Sequence, residues 1–399
     1  MDVLQSIYCP MHNFHIIRQI NLFKIACKML FFSRKKCIGM LIGSTFAAFI
    51  IMNQPGIYQG IADRIVADIM TIEEPDLWVM ASTSRSFDQP TYFTGIDIYR
   101  IRSIPGVLWA NQVYRTWIPL YHTPTNKETP WMLIGVDPER LTGLPMRLQQ
   151  GTRNSIYNSN ALIIDGYALE QLETENKKTI QKGDRLLEKQ NEFIVMGIAE
   201  PIRTYRLEPK AYILSSHIPN LTQRPSFILV KINHGYDVKK VALDIHQKMG
   251  YDALTQDEFT ERSLAHFRKH TPIIFIFLCI ATLGFLIGLI LMWQIFSNFI
   301  LTHMHQFGML KMLGVPNATL RNMVLFQVFL IGGVGYMMGL ILDILFGFSV
   351  HDTLIAFHLT WQIAALGALG IVVIIVLSSL FSILQVLRID TIELCRDIN

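Results

Sequence analysis

No cysteine lies between Cys37 and Cys279. The long polar stretch that separates them therefore folds without disulfide staples and depends on its own apolar core. The sequence also lacks a GxxxxGK[ST] segment, so it does not hold a nucleoside triphosphate through a P-loop. No Ser-His-Asp, Cys-His or paired-carboxylate spacing stands out, and nothing points to an enzyme. Charge is scarce as well: Asp, Glu, Lys and Arg make up 17% of the 399 residues, against 51% apolar, with a mean hydropathy of +0.33. A soluble chain of this size is rarely so apolar.

The apolar residues are gathered into runs. Cys37 to Asn53, Pro272 to Leu301 and Trp361 to Leu387 carry no charge, and Met323 to Phe348 carries only Asp343. Each is near or above the roughly 17–25 residues that cross a bilayer as a helix, which predicts four transmembrane helices. The first follows Arg34-Lys35-Lys36 and reads as an uncleaved anchor, because a long segment precedes its core and no small-x-small cleavage site follows. Basic residues crowd the N-terminal segment (Arg18, Lys24, Lys28 and Arg34 to Lys36) and recur at Lys311, Arg321, Arg388 and Arg396. The short segment Gly347 to Thr360 has none. The positive-inside rule then places both termini and the segment after the second span in the cytoplasm, and Gln54 to Thr271 outside. That outer stretch is balanced in charge, so the formal +4 belongs to the cytoplasmic side. The pI of 8.7 follows from topology and is no sign of nucleic-acid binding.

The chain divides into a cytoplasmic interfacial helix (1–36), a first span (37–53) and an external domain (54–271). Helical stalks are expected at 54–74 and 257–271. A second span with its cytoplasmic extension (272–301), a short helix and loop (302–316) and a third span (317–348) follow. A short outer loop (349–360), a fourth span (361–387) and a cytoplasmic tail (388–399) complete it. In the first segment Ile16, Ile20, Phe23, Cys27 and Leu30 form an apolar stripe opposite Arg18 and Lys28, as in a helix lying in the membrane surface. Ile57, Ile61, Ile65, Ile69 and Ile72 mark a helix leading outward, and Asp257 to His270 its return. Between them, strands are expected at Asp76–Ala81, Val107–Tyr114, Met132–Val136, Ala161–Asp165, Phe193–Ala199, Ala211–Leu214 and Ser226–Ile232, with helices at Ile98–Ile104 and Asp237–Met249. This is an α+β domain joined to a membrane α-helical part.

Several residues invite a chemical reading. His266 and His270 share a helix face but lack a third metal ligand; His303 and His305 are equally incomplete. Asp343, a carboxylate within a span, is a functional candidate, yet it stands near the outer end and is expected to reach the interface. Gly284 with Gly288, and Gly335 with Gly339, allow close helix packing. The segment Gln306-Phe307-Gly308-Met309-Leu310-Lys311-Met312-Leu313-Gly314 carries the most information. Phe307, Leu310 and Leu313 have helical spacing, Gly314 and Pro316 stop the helix, and Asn317 is placed to cap the next one. A short capped helix between two spans can be gripped by another protein.

This segment resembles the EFGxLKAxG coupling segment of the permease subunits of the MacB/FtsX/LolC superfamily of ABC systems. Here Gln306 stands for the usual glutamate and Met312 for alanine. Ile389-Asp390-Thr391-Ile392-Glu393-Leu394-Cys395-Arg396 is similar to the family's terminal xDPxEALR. Gln54-Pro55-Gly56, Ile104-Pro105-Gly106-Val107 and Leu133-Ile134-Gly135-Val136-Asp137-Pro138 look most like DevC-like permeases.

The resemblance implies a non-catalytic permease of the bacterial inner membrane. Such a permease works as a dimer with a cytoplasmic ABC ATPase, and ATP and Mg bind on that partner. Coupling would fall to Gln306, Phe307, Gly308, Met309, Leu310, Lys311, Leu313 and Gly314. The apolar side chains would fill a groove on the ATPase, and Lys311 would meet an acidic group. The resemblance further implies a mechanotransmission-type exporter whose external domains move to expel substrate, with a periplasmic adaptor and a TolC-like outer-membrane channel. Membrane lipid surrounds the spans, and nucleic acid has no role. The alternative is an FtsX-like regulatory subunit that activates an extracytoplasmic cell-wall hydrolase without transport. Neither the substrate nor a cofactor in this chain is implied.

Overall fold

A computed structural model of the chain describes residues 24, 26–32, 34–94, 96–122, 127–169, 180–189, 191–206, 208–218, 224–351, 353 and 355–387. The stripe from Ile16 to Phe23 and the terminal motif at 389–396 lie outside these residues. The described residues divide into two units, one comprising residues up to Gly60 together with those from Ile273 onward, the other Ile61–Pro272.

The membrane unit is built from helices. Residues 26–32 are helical, and α1 runs unbroken from Arg34 to Met70, contributing to both units. The sequence suggested a span followed by a separate stalk helix at Pro55-Gly56. One helix passes through Pro55 instead, so the missing N–H removes a single hydrogen bond without ending it. Among the described residues four helices are long and apolar enough to cross a membrane, the first being α1. The three others, with the short helix between two of them, are named below.

In the membrane unit small residues bring helices into contact. A Cβ at Gly284 or Gly288 would overlap Ile50 or Ala47 of α1, and one at Gly335 or Gly339 would overlap Ser44 or Ala48. Close approach of backbones is the packing mode available in lipid, where apolar side chains gain nothing by leaving the solvent. Polar groups along the same seam are paired across helices: Ser44 Oγ donates to the Ile331 carbonyl at 3.4 Å, and Gln327 Nε2 to the Ala26 carbonyl at 2.9 Å.

The second unit contains a mixed sheet of ten strands among the described residues. In chain order they and their helices are β1 (Leu77–Ala81), α2 (Asp97–Arg102), β2 (Val107–His122), β3 (Lys127–Val136), β4 (Leu148–Gln150), β5 (Ala161–Asp165), β6 (Arg185–Glu188), β7 (Asn191–Ala199), β8 (Lys210–Leu214), β9 (Phe227–Ile232), α3 (Val238–Met249), β10 (Tyr251–Leu254) and α4 (Gln256–His270). The strand order is β10-β1-β9-β2-β3-β8-β5-β7-β4, with β6 bridging β2 and β7. β2 is twice the length expected. It pairs with β9 through Val107–Val113 and then with β3 through Tyr114–His122, so one strand serves two halves of the sheet. The β3–β8 and β5–β7 pairs are parallel and the others antiparallel. The short strands β4, β6 and β10 went unseen in the sequence because each has too few residues to show a period.

Helix ends in this unit are specified locally. Asp237 caps α3 by accepting from Lys239 N at 3.0 Å, and Gly250 closes it at φ +71°. Thr255 and Glu258 cap α4 reciprocally. On one side of the sheet Val241 and Ile245 of α3 bury against Val79, Ile228 and Val230. On the other, Trp78, Phe87, Phe227 and Phe259 form an aromatic cluster with ring centroids 5.2–6.4 Å apart. These two layers supply the core that the absent disulfides would otherwise have to replace.

After α4 the membrane unit resumes with α5 (Ile273–Thr302), the short α6 (Met304–Met312), α7 (Asn317–Val350) and α8 (Trp361–Leu387).

Candidate functional site

α6 is held at both ends. At its start Lys36 Nζ donates to the Asn298 carbonyl at 3.3 Å and to Thr302 Oγ1, tying the first turn of α1 to the last turn of α5. His303 is buried, its ring tilted against Phe299 with centroids 4.3 Å apart. At its end Val315 N donates to the Leu310 carbonyl and Gly314 N to the Lys311 carbonyl, both at 3.1 Å. This pair of bonds is a Schellman motif, and it requires the left-handed φ of +81° that Gly314 supplies. Val315 is buried beneath it. α7 begins at Asn317, but Asn317 is not its cap. Pro316 occupies that place with extended backbone and no side-chain bond, because the cap falls one residue earlier than the sequence suggested.

The apolar residues of the segment separate into two sets. Phe307 is 0% exposed and sits in the membrane unit's core with Phe296, Phe299 and Leu320. Gly308 is buried beside it, and Leu310 is partly buried against the same core. Met309, Met312 and Leu313 are 43, 48 and 76% exposed. Phe307 therefore cannot fill a partner's groove while the helix is seated; it anchors α6 from within. The reason is the helical repeat. Each residue advances about 100°, so six residues from Phe307 to Leu313 turn the side chain about 120° away. An i, i+3, i+6 pattern looks like one face and is not. Gln306 is half-buried, and its Oε1 has no hydrogen-bond partner among the described residues.

Asp343 also differs from expectation. It does not reach the interface: it is fully buried, facing α1, where Asn53 Nδ2 donates to its Oδ1 at 3.2 Å. Asn53 carried no signal in the sequence, since a lone asparagine just before Pro55 reads as the end of a helix. The rings of His266 and His270 touch at a tilt with centroids 4.1 Å apart, and His270 Nδ1 lies 2.9 Å from the His266 carbonyl. Among the described residues no group of three His, Cys, Asp or Glu is placed to hold a metal.

The sheet unit contains a polar constellation that sequence reasoning missed. Asp68, on the last turns of α1, pairs with Lys210 at the start of β8, and both are buried. Asp165, at the end of β5, is buried nearby. Its Oδ1 accepts from Tyr167 N at 3.1 Å and Ile202 N at 2.9 Å, while Oδ2 has no partner among the described residues. Burial pushes its carboxyl up from 3.8 to about 6, although Lys210 and the two N–H groups pull the other way. Here α1 is also pinned by Tyr205 N to the Arg64 carbonyl and Gln256 Nε2 to the Ile69 carbonyl.

Residues 278–391, which hold most of α5, all of α6 and α7, and α8, match the model of the FtsX-like permease C-terminal family. Over these residues the chain is similar to the C-terminal domain of FtsX-like permeases. α6 lies between α5 and α7, two helices long and apolar enough to cross a membrane. Among solved structures, the chain is similar to the periplasmic region of MacB from Actinobacillus actinomycetemcomitans. The identity is 14% and the TM-score 0.36, over 51% of this chain and 96% of that one. It is similar to the extracellular domain of the noncanonic ABC-type transporter YknZ from Gram-positive bacteria, at 18% identity and TM-score 0.33, over 46% and 100%. A domain of a putative permease protein from Porphyromonas gingivalis matches at 14% identity and TM-score 0.31, over 45% and 88%. No match was found among curated protein sequences.

Proposed function

We propose that this permease is the membrane subunit of a mechanotransmission-type ABC export system. A separate cytoplasmic ATPase binds α6, and its ATP-driven closure is converted into movement of the sheet unit that drives substrate efflux. The observation that carries this reading is α6 itself: a short helix between two spanning-length helices, anchored by Phe307 and presenting Met309, Met312 and Leu313 outward. An inward anchor with an outward apolar face is what transmits a push, because force on the exposed side chains acts on helices packed around the buried one. The absence of a P-loop motif agrees with hydrolysis on a partner chain, which would hold ATP and Mg. The resemblance to DevC-like permeases supports a dimer in a bacterial inner membrane with both termini cytoplasmic, joined to a periplasmic adaptor and a TolC-like channel.

The test is co-purification of the permease with a P-loop ATPase and stimulation of ATP hydrolysis in liposomes. Leu313→Asp combined with Met309→Asp abolishes both while membrane insertion is unchanged. If the double variant still stimulates hydrolysis to the wild-type level, the assignment fails. Recovery of a cell-wall hydrolase in place of an adaptor and channel would turn the reading from export to regulation.

A further inference from the structure

α1 is weakest just before it passes from one unit to the other. Pro55 has no N–H, so the Ile51 carbonyl lacks the donor that a helix supplies four residues on. Gly56 follows at once and Gly60 one turn later, and glycine is the poorest helix former after proline. Helix kinks gather at such places. Yet α1 runs unbroken from Arg34 to Met70.

The loop after α7 grips α1 at this point. A Cβ at Gly56 would overlap the Phe357 ring, and one at Gly60 would overlap the backbone of Ala356 and Phe357. A Cβ at Gly347, near the end of α7, would press on the same ring. Phe357 thus lies in a slot that three glycines leave open. His358 N donates to the Gly56 carbonyl at 2.9 Å, so the loop is bonded to the helix backbone as well as packed on it. The Phe357 ring meets Phe346 of α7 edge-to-face at 5.2 Å, and Phe346 meets Phe49 of α1 in the same way at 6.2 Å. Before Pro55, α1 is fastened to α7 directly, by the bond from Asn53 to Asp343 and by close contact at Gly335 and Gly339. From Gly56 to Gly60 the loop takes over that hold.

We infer that residues 356–358 are a releasable strap that keeps α1 straight at Pro55-Gly56, and that Phe357 is the positioning residue that seats it. The inference rests on the reading that a separate ATPase drives the chain at α6. α7 begins three residues after Leu313 and ends at this loop, so a push on α6 reaches the strap along one unbroken helix of 34 residues. A small shift suffices. A ring wedged between glycines makes its contacts at one position only, and close-packed contacts of this kind hold or let go without deforming continuously. With the strap off, the proline break is free to bend, and the part of α1 beyond Gly60 belongs to the sheet unit.

Hydrogen exchange of the full-length protein in lipid nanodiscs, read by mass spectrometry on peptides covering residues 54–62, tests this. Phe357→Ala is expected to speed exchange there at least about tenfold, with β5 and β8 unchanged. Phe357→Leu, which keeps an apolar side chain in the slot, should have a much smaller effect. Pro55→Ala restores the missing helix hydrogen bond, so Phe357→Ala combined with it should exchange near the wild-type rate. In the complex with the ATPase, ATP and vanadate should raise exchange over 54–62 in the wild-type chain but not in Pro55→Ala. Unchanged exchange in Phe357→Ala overturns the inference, and so does an equal increase with and without Pro55→Ala. Faster exchange in β5 and β8 as well, not reversed by Pro55→Ala, would mean that Phe357 only supports folding, and overturns it too. An ATPase that binds and is stimulated while ATP leaves exchange over 54–62 unchanged makes the strap static. That result overturns the inference and leaves the proposed function standing. Failure to recover any ATPase overturns both.

Discussion

Phe307 and Leu313 carry opposite tasks within one short helix. Phe307 is part of the core, so its truncation acts on the stability of the chain itself. Phe307→Ala is expected to cost roughly 3–5 kcal/mol through lost contacts and a cavity, read as a lower melting temperature of the detergent-solubilised protein with no ATPase present. Leu313→Ala, at an exposed position, should leave that temperature unchanged. Equal effects of the two substitutions would mean that α6 is not seated as described. Gly314 belongs with them: its left-handed conformation sets where α6 ends and so which side chains the last turn presents.

Helices and strands join in the sheet unit through charge as well as apolar burial. The end of α1 is held to β8 by Asp68 and Lys210, with Asp165 of β5 alongside. Folding raises the Asp165 carboxyl from 3.8 to about 6, so the native state accommodates the protonated form better. The resulting stabilisation is fully present below 3.8 and is lost as pH rises through about 6. Its size is on the order of 3 kcal/mol. Hydrogen-exchange protection factors across β5 and β8 of the full chain, corrected for the intrinsic rate at each pH, are therefore expected to be larger at pH 5 than at pH 7.5. In Asp165→Asn that difference should shrink, because the amide is neutral at both. A pH difference of the same size in the variant would assign it to other groups. In the membrane unit Asn53 and Asp343 join α1 to α7 in a comparable way, with a side-chain amide in place of a cation.

For the molecule as a whole, the decisive property is which unit faces which compartment. The charge distribution predicts α6 on the cytoplasmic side and the sheet unit outside. Single cysteines in a background without native cysteine check this. Tyr157→Cys, at an exposed position of the sheet unit, should react with a membrane-impermeant maleimide in intact spheroplasts, and Leu313→Cys only after permeabilisation. The reverse pattern would place α6 out of reach of any ATPase and end the proposed function.

The sequence by itself determined the broad division of the chain, because long uncharged runs and a cysteine-free polar stretch are properties of composition that need no neighbours. It also marked Gln306–Gly314 as a capped helix, since glycine, proline and apolar spacing act within a few residues of one another. Only the tertiary structure decided which side chains of that helix face out, because a pattern of three apolar residues does not say which one the surrounding helices cover. The same holds for the partners of Asp343, Asp165 and Lys210. Asn53 and Asp343 are 290 positions apart, and Asp68 and Lys210 are 142 apart. Contacts of that range are selected by how helices and strands pack, and packing leaves no local mark on the residues it brings together.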